Sequence, residues 1–286
     1  MTPGTRETGV VATDDTQRVV RHAPARNRTA ARRPPSPVPF GLIWTLVRTD
    51  FKARYHGTLS GFVWALLKPL SMFLVLTAVF SLVFRSEPNY RLNLLIGLFL
   101  WDFFAEGTKT GLTALHAKGF LLSKARFPSW ILVVTSISNA LVTIVVFSLI
   151  VLVFLNVTGR PPSPASFALY LGYVLVMAGL IIGFSLGGSV LFLRYRDLNQ
   201  VWDVVTQAGF FIAPVIYPIG VIPERFQFYL YVWPPTAVIE FSRSVLVEGR
   251  IPSLRGHLDL GIVALGVAAI GVVIYRRFAP RAAEYL

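Results

Sequence analysis

The chain has 286 residues, of which 54% are hydrophobic and 14% are charged, and its formal net charge is +13. A soluble protein of this length carries about 25% charged residues, so the composition argues against a soluble protein and predicts a polytopic membrane protein. The sequence contains no cysteine, which excludes a disulfide framework and a thiolate metal site.

Residues 1–39 carry seven arginines and almost no large apolar side chains. Such a segment cannot bury enough surface to offset its conformational entropy, so we predict a disordered, basic cytoplasmic tail. Weak attraction to an anionic membrane surface is one role that its basic residues could have.

An amphipathic helix is predicted at Phe40–His56, where Trp44, Phe51 and Tyr55 lie on one stripe at helical spacing. Its charged residues favour a position in the plane of the membrane interface. The alternative is that this segment begins a longer helix.

Six apolar segments are near the length of about 20 residues that a helix needs to cross a bilayer. They predict an all-α integral membrane protein with six transmembrane helices, at about residues 62–84, 92–113, 130–155, 167–193, 201–219 and 258–275. Residues 40–286 are therefore expected to form one transmembrane domain behind the 1–39 tail.

The second span carries Asp102, Glu106 and Lys109 on one helical face. A lone charge at mid-bilayer costs roughly 2.5–3.5 kcal/mol on insertion scales, so this face must turn towards other protein. We expect a Glu106–Lys109 ion pair and a bond from Asp102 to a neighbouring helix. A proton relay is the alternative.

The fourth span contains Gly179, Gly183 and Gly187, which recur every four residues. A row of glycines lets another helix approach closely. That helix belongs either to the same chain or to a second copy, and the sequence leaves both open.

A basic turn between the second and third spans, residues 115–128, has an apolar centre that a simple loop does not need. A docking helix for a soluble partner explains this centre, and a loop lying against the membrane explains it equally well.

The region 221–250 contains two apolar pieces of about ten residues, each too short to cross a bilayer. Short pieces can dip into the membrane only where protein or a water-filled cavity shields their backbone. We therefore predict short re-entrant helices between the fifth and sixth spans, at a pathway or gate.

The basic residues set the orientation. With the N-terminus inside, twenty basic residues fall in inner segments, and the outer segments hold seven, Arg85, Arg91, Arg160, Arg225, Arg243, Arg250 and Arg255. This bias follows the positive-inside rule, so both termini are predicted to be cytoplasmic and the net charge requires no nucleic-acid partner.

The sequence lacks a P-loop, a His/Glu metal motif and a Gly-x-Ser-x-Gly nucleophile elbow. We therefore predict no catalytic residue, no metal site and no cofactor in this chain. If the protein drives uphill transport, the energy must come from another chain.

Three stretches, in this order, resemble the membrane permease subunits of type-2 ABC exporters, in the group that exports polysaccharides and polyol phosphates. The first is Arg54–Leu70, at the start of the first span, and the second is Gly97–Phe104 with Leu121–Pro128 downstream. The most specific runs from Arg196-Asp197-Leu198 through Ala213-Pro214-Val215-Ile216-Tyr217-Pro218 to Pro234-Pro235. The resemblance covers about residues 40–286.

The resemblance implies a homodimer in the bacterial plasma membrane, joined by two copies of a separate cytoplasmic ATPase that binds ATP and Mg²⁺. It also implies a channel for a lipid-linked polysaccharide, such as an O-antigen, a teichoic acid or a galactan. The chain would then be the channel-forming permease subunit and not an enzyme.

The resemblance also assigns roles to particular residues. The coupling segment held by the ATPase would contain Leu115, His116, Lys118, Gly119, Phe120, Leu121, Leu122 and Lys124. The interface helix would present Trp44, Phe51 and Tyr55, and the external gate Phe228, Tyr231 and Trp233. Because aromatic faces stack on sugar rings, we expect Phe73, Phe80, Phe210, Phe211 and Tyr217 to line the pathway.

Three other readings remain open from the sequence. A type-2 exporter of drugs or free lipids would share the same architecture. A membrane-embedded glycosyltransferase or acyltransferase would need acidic or His groups brought together on loops. A passive channel would accommodate the re-entrant pieces but would not need the apolar centre of the basic turn.

Overall fold

The structure is a computed structural model that describes residues 40–55, 61–124 and 127–282. The 1–39 tail and His56, at the end of the predicted interface helix, lie outside these residues. Regular structure in the described ranges is helical throughout. The α-helices are α1 (Phe40–Tyr55), α2 (Gly61–Val83), α3 (Tyr90–Lys118), α4 (Phe120–Lys124), α5 (Trp130–Ser136), α6 (Ser138–Val157), α7 (Pro164–Arg194), α8 (Leu198–Ile212), α9 (Glu224–Tyr231), α10 (Pro234–Arg243) and α11 (Leu254–Ala282).

Within the described part of the chain, four segments are long and apolar enough to cross a membrane. They are α2, the α5–α6 pair (Trp130–Val157), α7 and residues Leu254–Pro280 of α11. The protein is thus an all-α, multi-pass membrane protein. The predicted count of six spans, and the re-entrant placement of the short helices, stay predictions.

The predicted fifth span, 201–219, does not form one continuous helix. Helix α8 has 15 residues, about 22 Å, and it ends at Ile212, seven residues before the predicted end. The reason is local, because Ala213 precedes Pro214 and adopts the extended conformation that a following proline favours (φ −66°, ψ 135°). A 3-10 turn at Ile219–Val221 follows the break.

Helix α3 is the centre of the bundle. It contacts α2, α5, α6, α7, α8 and α10, and most of its apolar side chains, such as Leu94, Leu100 and Leu115, are fully buried. This position brings the face that carries Asp102, Glu106 and Lys109 next to other helices, which can supply partners of opposite charge.

The glycine row of α7 is used for packing within the chain. A Cβ at Gly183 would stand 2.7 Å from Ala268 Cα, and one at Gly187 would stand 3.1 Å from Gly271 Cα, so α11 lies directly on these two glycines. Gly179 differs, since a Cβ there would meet no described atom within 4 Å. The sequence left open whether the partner belongs to the same chain or to a second copy. Gly183 and Gly187 pack against α11 of the same chain.

Replacing Gly183 with alanine is expected to destabilise the protein by about 1–3 kcal/mol, because the new methyl group collides with the α11 backbone. The matched change Gly179→Ala is expected to be neutral, or stabilising by up to about 1 kcal/mol, because it only improves helix propensity. Thermal unfolding of the purified variants in detergent measures both effects. Equal shifts in the two variants would show that α7 and α11 do not meet at Gly183.

Candidate functional site

A groove of about 780 Å³ runs between α2, α3 and α8. Its wall is mainly apolar, with a few polar side chains, and it is lined by Lys68, Ser71, Met72, Val75, Leu98, Trp101, Ala105, Thr206, Gln207, Phe210 and Phe211. A volume of this size is typical of pockets that bind small molecules.

Two of the predicted pathway-lining residues, Phe210 and Phe211, line this groove, and three do not. Phe73 is buried, and its ring centroid lies 6.3 Å from that of Phe154 on α6. Phe80 stacks on Phe84 at 6.3 Å between centroids. Tyr217 lies in the break after α8. A periodic pattern of aromatics cannot tell which face of a helix borders a cavity.

An aromatic cluster lies behind the groove wall. The ring of Trp101 lies 5.9 Å from that of Phe210 and 6.4 Å from that of Trp233, between centroids. Gly209 allows this approach, since a Cβ there would stand 2.8 Å from Trp233 Cζ2 and 2.9 Å from Trp101 Cη2. Trp233, expected at the external gate, therefore packs against the residues that form the groove.

The other two predicted gate residues lie on α9. Phe228 is 72% exposed, whereas Tyr231 is half-buried and packs against the main hydrophobic core. Helix α9 buries none of its residues within the described chain, so it lies on the surface of the protomer.

The non-helical break after α8 is held by a buried arginine. Arg243 of α10 is 5% exposed, and its guanidinium donates to Pro214 O at 2.6 Å and to Val215 O at 3.0 Å. It also donates to Asn93 O at 2.9 Å and to Glu240 Oε1 at 2.7 Å. One side chain thereby joins α10, the break and the first half of α3.

Two tyrosines complete this connection. Tyr90, at the start of α3, donates its hydroxyl to Ile216 O at 2.9 Å. Tyr217 donates to Phe211 O at 3.0 Å and to Ile212 O at 3.1 Å, which satisfies carbonyls left open at the end of α8. The break is therefore a defined structure and not a loose loop.

The charged face of α3 is paired with other helices, and the predicted Glu106–Lys109 pair is wrong. Glu106 pairs with Arg54 of α1. Lys109 Nζ lies 2.6 Å from Asp203 Oδ1 of α8. Sequence spacing favoured the pair within one helix, but α1 and α8 offer opposite charges across the helix contacts.

Asp102 also departs from expectation. It makes no hydrogen bond to any residue of the described ranges, and it lines a small cavity of about 90 Å³ together with Lys68, Arg54 and Glu106. Lys68 borders both this cavity and the large groove, so the two spaces meet at one cation.

The predicted coupling segment forms the last turn of α3 and the short helix α4. Leu115 is fully buried, so its side chain cannot contact a soluble partner. Phe120 is 59% exposed and Leu122 is half-buried, and both follow Gly119, where α3 ends. Lys118 pairs with Asp50 of α1, and this bond ties the end of α3 to the predicted interface helix.

The predicted interface residues lie on α1. Trp44 is 61% exposed, whereas Phe51 and Tyr55 are half-buried. Tyr55 packs edge-on against Phe62 of α2, with 5.4 Å between ring centroids. Helix α1 is thus attached to the start of α2 by aromatic contacts, and its position relative to a membrane stays a prediction.

Sequence reasoning missed two kinds of residue. Arg243 was counted only among the basic residues of the outer segments, although Glu240 three positions earlier signals a possible pair. Trp101 and Gln207 were not expected in the groove, because only the packing of α2, α3 and α8 brings them together.

A family model described as ABC-2 type transporter matches residues 41–247 of this chain. The O-antigen export system permease protein RfbA of Klebsiella pneumoniae is 26% identical over 252 residues, which cover 86% of this chain and 95% of that protein. The protein of the same name from Myxococcus xanthus is 26% identical, over 79% of this chain and 87% of its own length. The polysialic acid transport protein KpsM of Escherichia coli is 25% identical, over 79% and 89%.

The Arg243→Gln variant is expected to lower the free energy of unfolding by about 3–5 kcal/mol, because it leaves Glu240 and the carbonyls of the break without their buried cationic donor. The matched variant Arg250→Gln is expected to change stability by less than about 1 kcal/mol, since that side chain is 80% exposed in a single ion pair. Thermal unfolding in detergent measures both. Similar stabilities for the two variants would contradict the role given to Arg243.

Proposed function

Since the chain belongs to the ABC-2 type transporter family, we propose that it is the channel-forming permease subunit of an ATP-driven exporter of a lipid-linked polysaccharide. The observation that carries this proposal is the aromatic-backed groove between α2, α3 and α8. The relatives are named as proteins of O-antigen export and of polysialic acid transport, and these names support a polysaccharide as the cargo.

The chemistry of the groove suits a sugar polymer. Sugar rings present apolar C–H faces that stack on aromatic side chains such as Phe210 and Phe211, and hydroxyl groups that bond to polar side chains such as Gln207 and Ser71. Stacking tolerates many different sugars, so one groove can pass successive units of a polymer.

A second copy of the chain would close the groove into a channel. The groove is open along one side, and Met72 (43% exposed), Val75 (58%) and Phe211 (66%) lie along it. A channel built by two identical surfaces around a twofold axis would cover these side chains and leave a continuous path. The homodimer, in a bacterial plasma membrane with both termini cytoplasmic, is part of this proposal.

The energy would come from two copies of a cytoplasmic ATPase, which holds ATP and Mg²⁺, bound at α4. Helix α4 follows directly on α3, whose end is anchored by the buried Leu115 and by the Lys118–Asp50 ion pair. A displacement of α4 is therefore passed to α3 as a rigid helix. The Lys109–Asp203 pair then carries it to α8, which forms one wall of the groove.

The short helices α9 and α10 would form the external gate, in the re-entrant region 221–250. Arg243 and Tyr90 attach the break after α8 to α3, so a shift of α3 also reaches the chain that leads into α9. A membrane-embedded transferase would need acidic groups on loops, and Glu240 does not offer one, because it lies on α10 with its carboxylate bonded to Arg243.

The test is to purify the chain gently from its native membrane and to measure both its partner and its export activity. The proposal predicts that a nucleotide-binding subunit copurifies in equal amount, with vanadate-sensitive ATPase activity, and that deletion of the chain leaves the polysaccharide inside the cell. Recovery of the chain alone under several mild detergents would contradict the proposal.

In the same assay, the double variant Phe120→Asp/Leu121→Asp is expected to lose the ATPase and to abolish export, because it puts two charges in the proposed contact. Its matched control is Ile251→Asp/Leu254→Asp, at positions that are 69% and 77% exposed and far along the chain from α4. The control should keep both partner and export. Normal export by the α4 variant would rule out the coupling role of this helix.

A further inference from the structure

A second cavity, of about 460 Å³, lies at the opposite end of α3 from the coupling segment. It is formed where α2 ends, α3 begins and α6 ends. Because α2 and the α5–α6 pair are both long and apolar enough to span a membrane, their adjacent ends lie together at one boundary of the bilayer. Phosphate groups of lipids stand at that boundary.

Three arginines surround this cavity, Arg85, Arg91 and Arg160, and the only acidic side chain among its described lining residues is Glu87. Arg160 donates to Asn89 Oδ1. Arg85 and Arg91 make no ion pair or hydrogen bond with any residue in the described ranges. The cavity therefore carries an excess of positive charge, and two of its guanidinium groups are available to a ligand.

The concentration of arginines in this place is unusual. Outer segments of membrane proteins are poor in Lys and Arg, and the sequence assigns seven basic residues to the outer side. One of these, Arg243, is buried in its own hydrogen-bond network. Three of the other six line a single cavity: Arg85 and Arg91 flank the short connection from α2 to α3, and Arg160 follows the end of α6.

We propose that this cavity binds the phosphate group of a membrane lipid. A guanidinium offers a planar fork of N–H donors that fits two phosphate oxygens, and arginines on different elements can hold one phosphate from several sides. The cavity is also lined by Ser81, which offers a hydroxyl donor, and by Phe84 and Phe154, which offer apolar surface to the carbon atoms beside the phosphate.

The site lies next to the connection that holds the break after α8. Tyr90 lines the cavity, and its hydroxyl donates to Ile216 O at 2.9 Å. The ring of Tyr90 also packs on that of Phe84, with 5.2 Å between centroids. A bound lipid phosphate would thus lie next to Tyr90, whose hydroxyl bonds to the backbone of the break that leads to α9.

The probes for the test are short-chain phosphatidylglycerol and inorganic phosphate, each titrated into the purified full chain and followed by calorimetry. The cavity variant Arg85→Gln/Arg91→Gln/Arg160→Gln is compared with a control that removes the same charge from the other outer arginines, Arg225→Gln/Arg250→Gln/Arg255→Gln. A third variant, Ser81→Phe, fills the cavity without changing the charge. Size-exclusion profiles establish that each variant is folded.

The lipid is expected to bind the intact chain, and its Kd should rise at least tenfold in the cavity variant and in Ser81→Phe but less than twofold in the control. Tight binding of phosphatidylglycerol that only a large excess of inorganic phosphate displaces would identify the lipid headgroup as the ligand. Tighter binding of inorganic phosphate than of phosphatidylglycerol would identify a free anion as the ligand and overturn the lipid assignment. Equal weakening in the cavity and control variants, or no binding of either probe to the intact chain, would overturn the proposal.

Discussion

The structure depends on the ion pairs that join the charged face of α3 to other helices. Helix α3, at the centre of the bundle, carries Glu106 and Lys109, and charged groups of opposite sign on other helices lower the cost of placing such charges in a membrane protein. Arg54 of α1 and Asp203 of α8 supply the partners. These pairs attach α1, the predicted interface helix, and α8, one wall of the groove, to the same central helix α3. The packing of the bundle, the shape of the groove and the proposed coupling path therefore all depend on them.

A second fixed point lies at the other end of the groove. Helix α8 cannot continue past Ile212 because of Pro214, and a broken helix leaves carbonyl groups that must find donors inside the protein. Arg243 and Tyr217 provide them. The break is therefore held in one conformation, and it connects α8 to the short helices of the proposed gate. Arginine is suited to this position because one guanidinium can bond several carbonyls at once.

The sequence predicted the class of fold well, and it predicted side-chain neighbours poorly. Length and hydropathy identified the long apolar helices and the short pieces after α8, because these are local properties of the chain. They also carried the predicted fifth span through Pro214, where α8 has already ended, and left the segment of α4 open between a helix and a loop. The pairing of Glu106, the burial of Arg243 and the position of Phe73 away from the groove depend on which helices touch, and no periodicity contains that information. The glycine row is intermediate, since it predicted close packing but not the partner, α11.

The central claim is that the groove between α2, α3 and α8 is a water-filled path, and labelling of single cysteines tests it most directly. The natural chain has no cysteine, so each introduced thiol is unique. Cysteines at Met72 and Gln207, in the groove, should react with a water-soluble, membrane-impermeant thiol reagent in native membranes, because thiolates form only in water. Cysteines at Leu74 and Leu149, which are exposed on the surfaces of α2 and α6 outside the groove, should not. Equal reactivity at the four positions, or reaction at the second pair only, would contradict the claim.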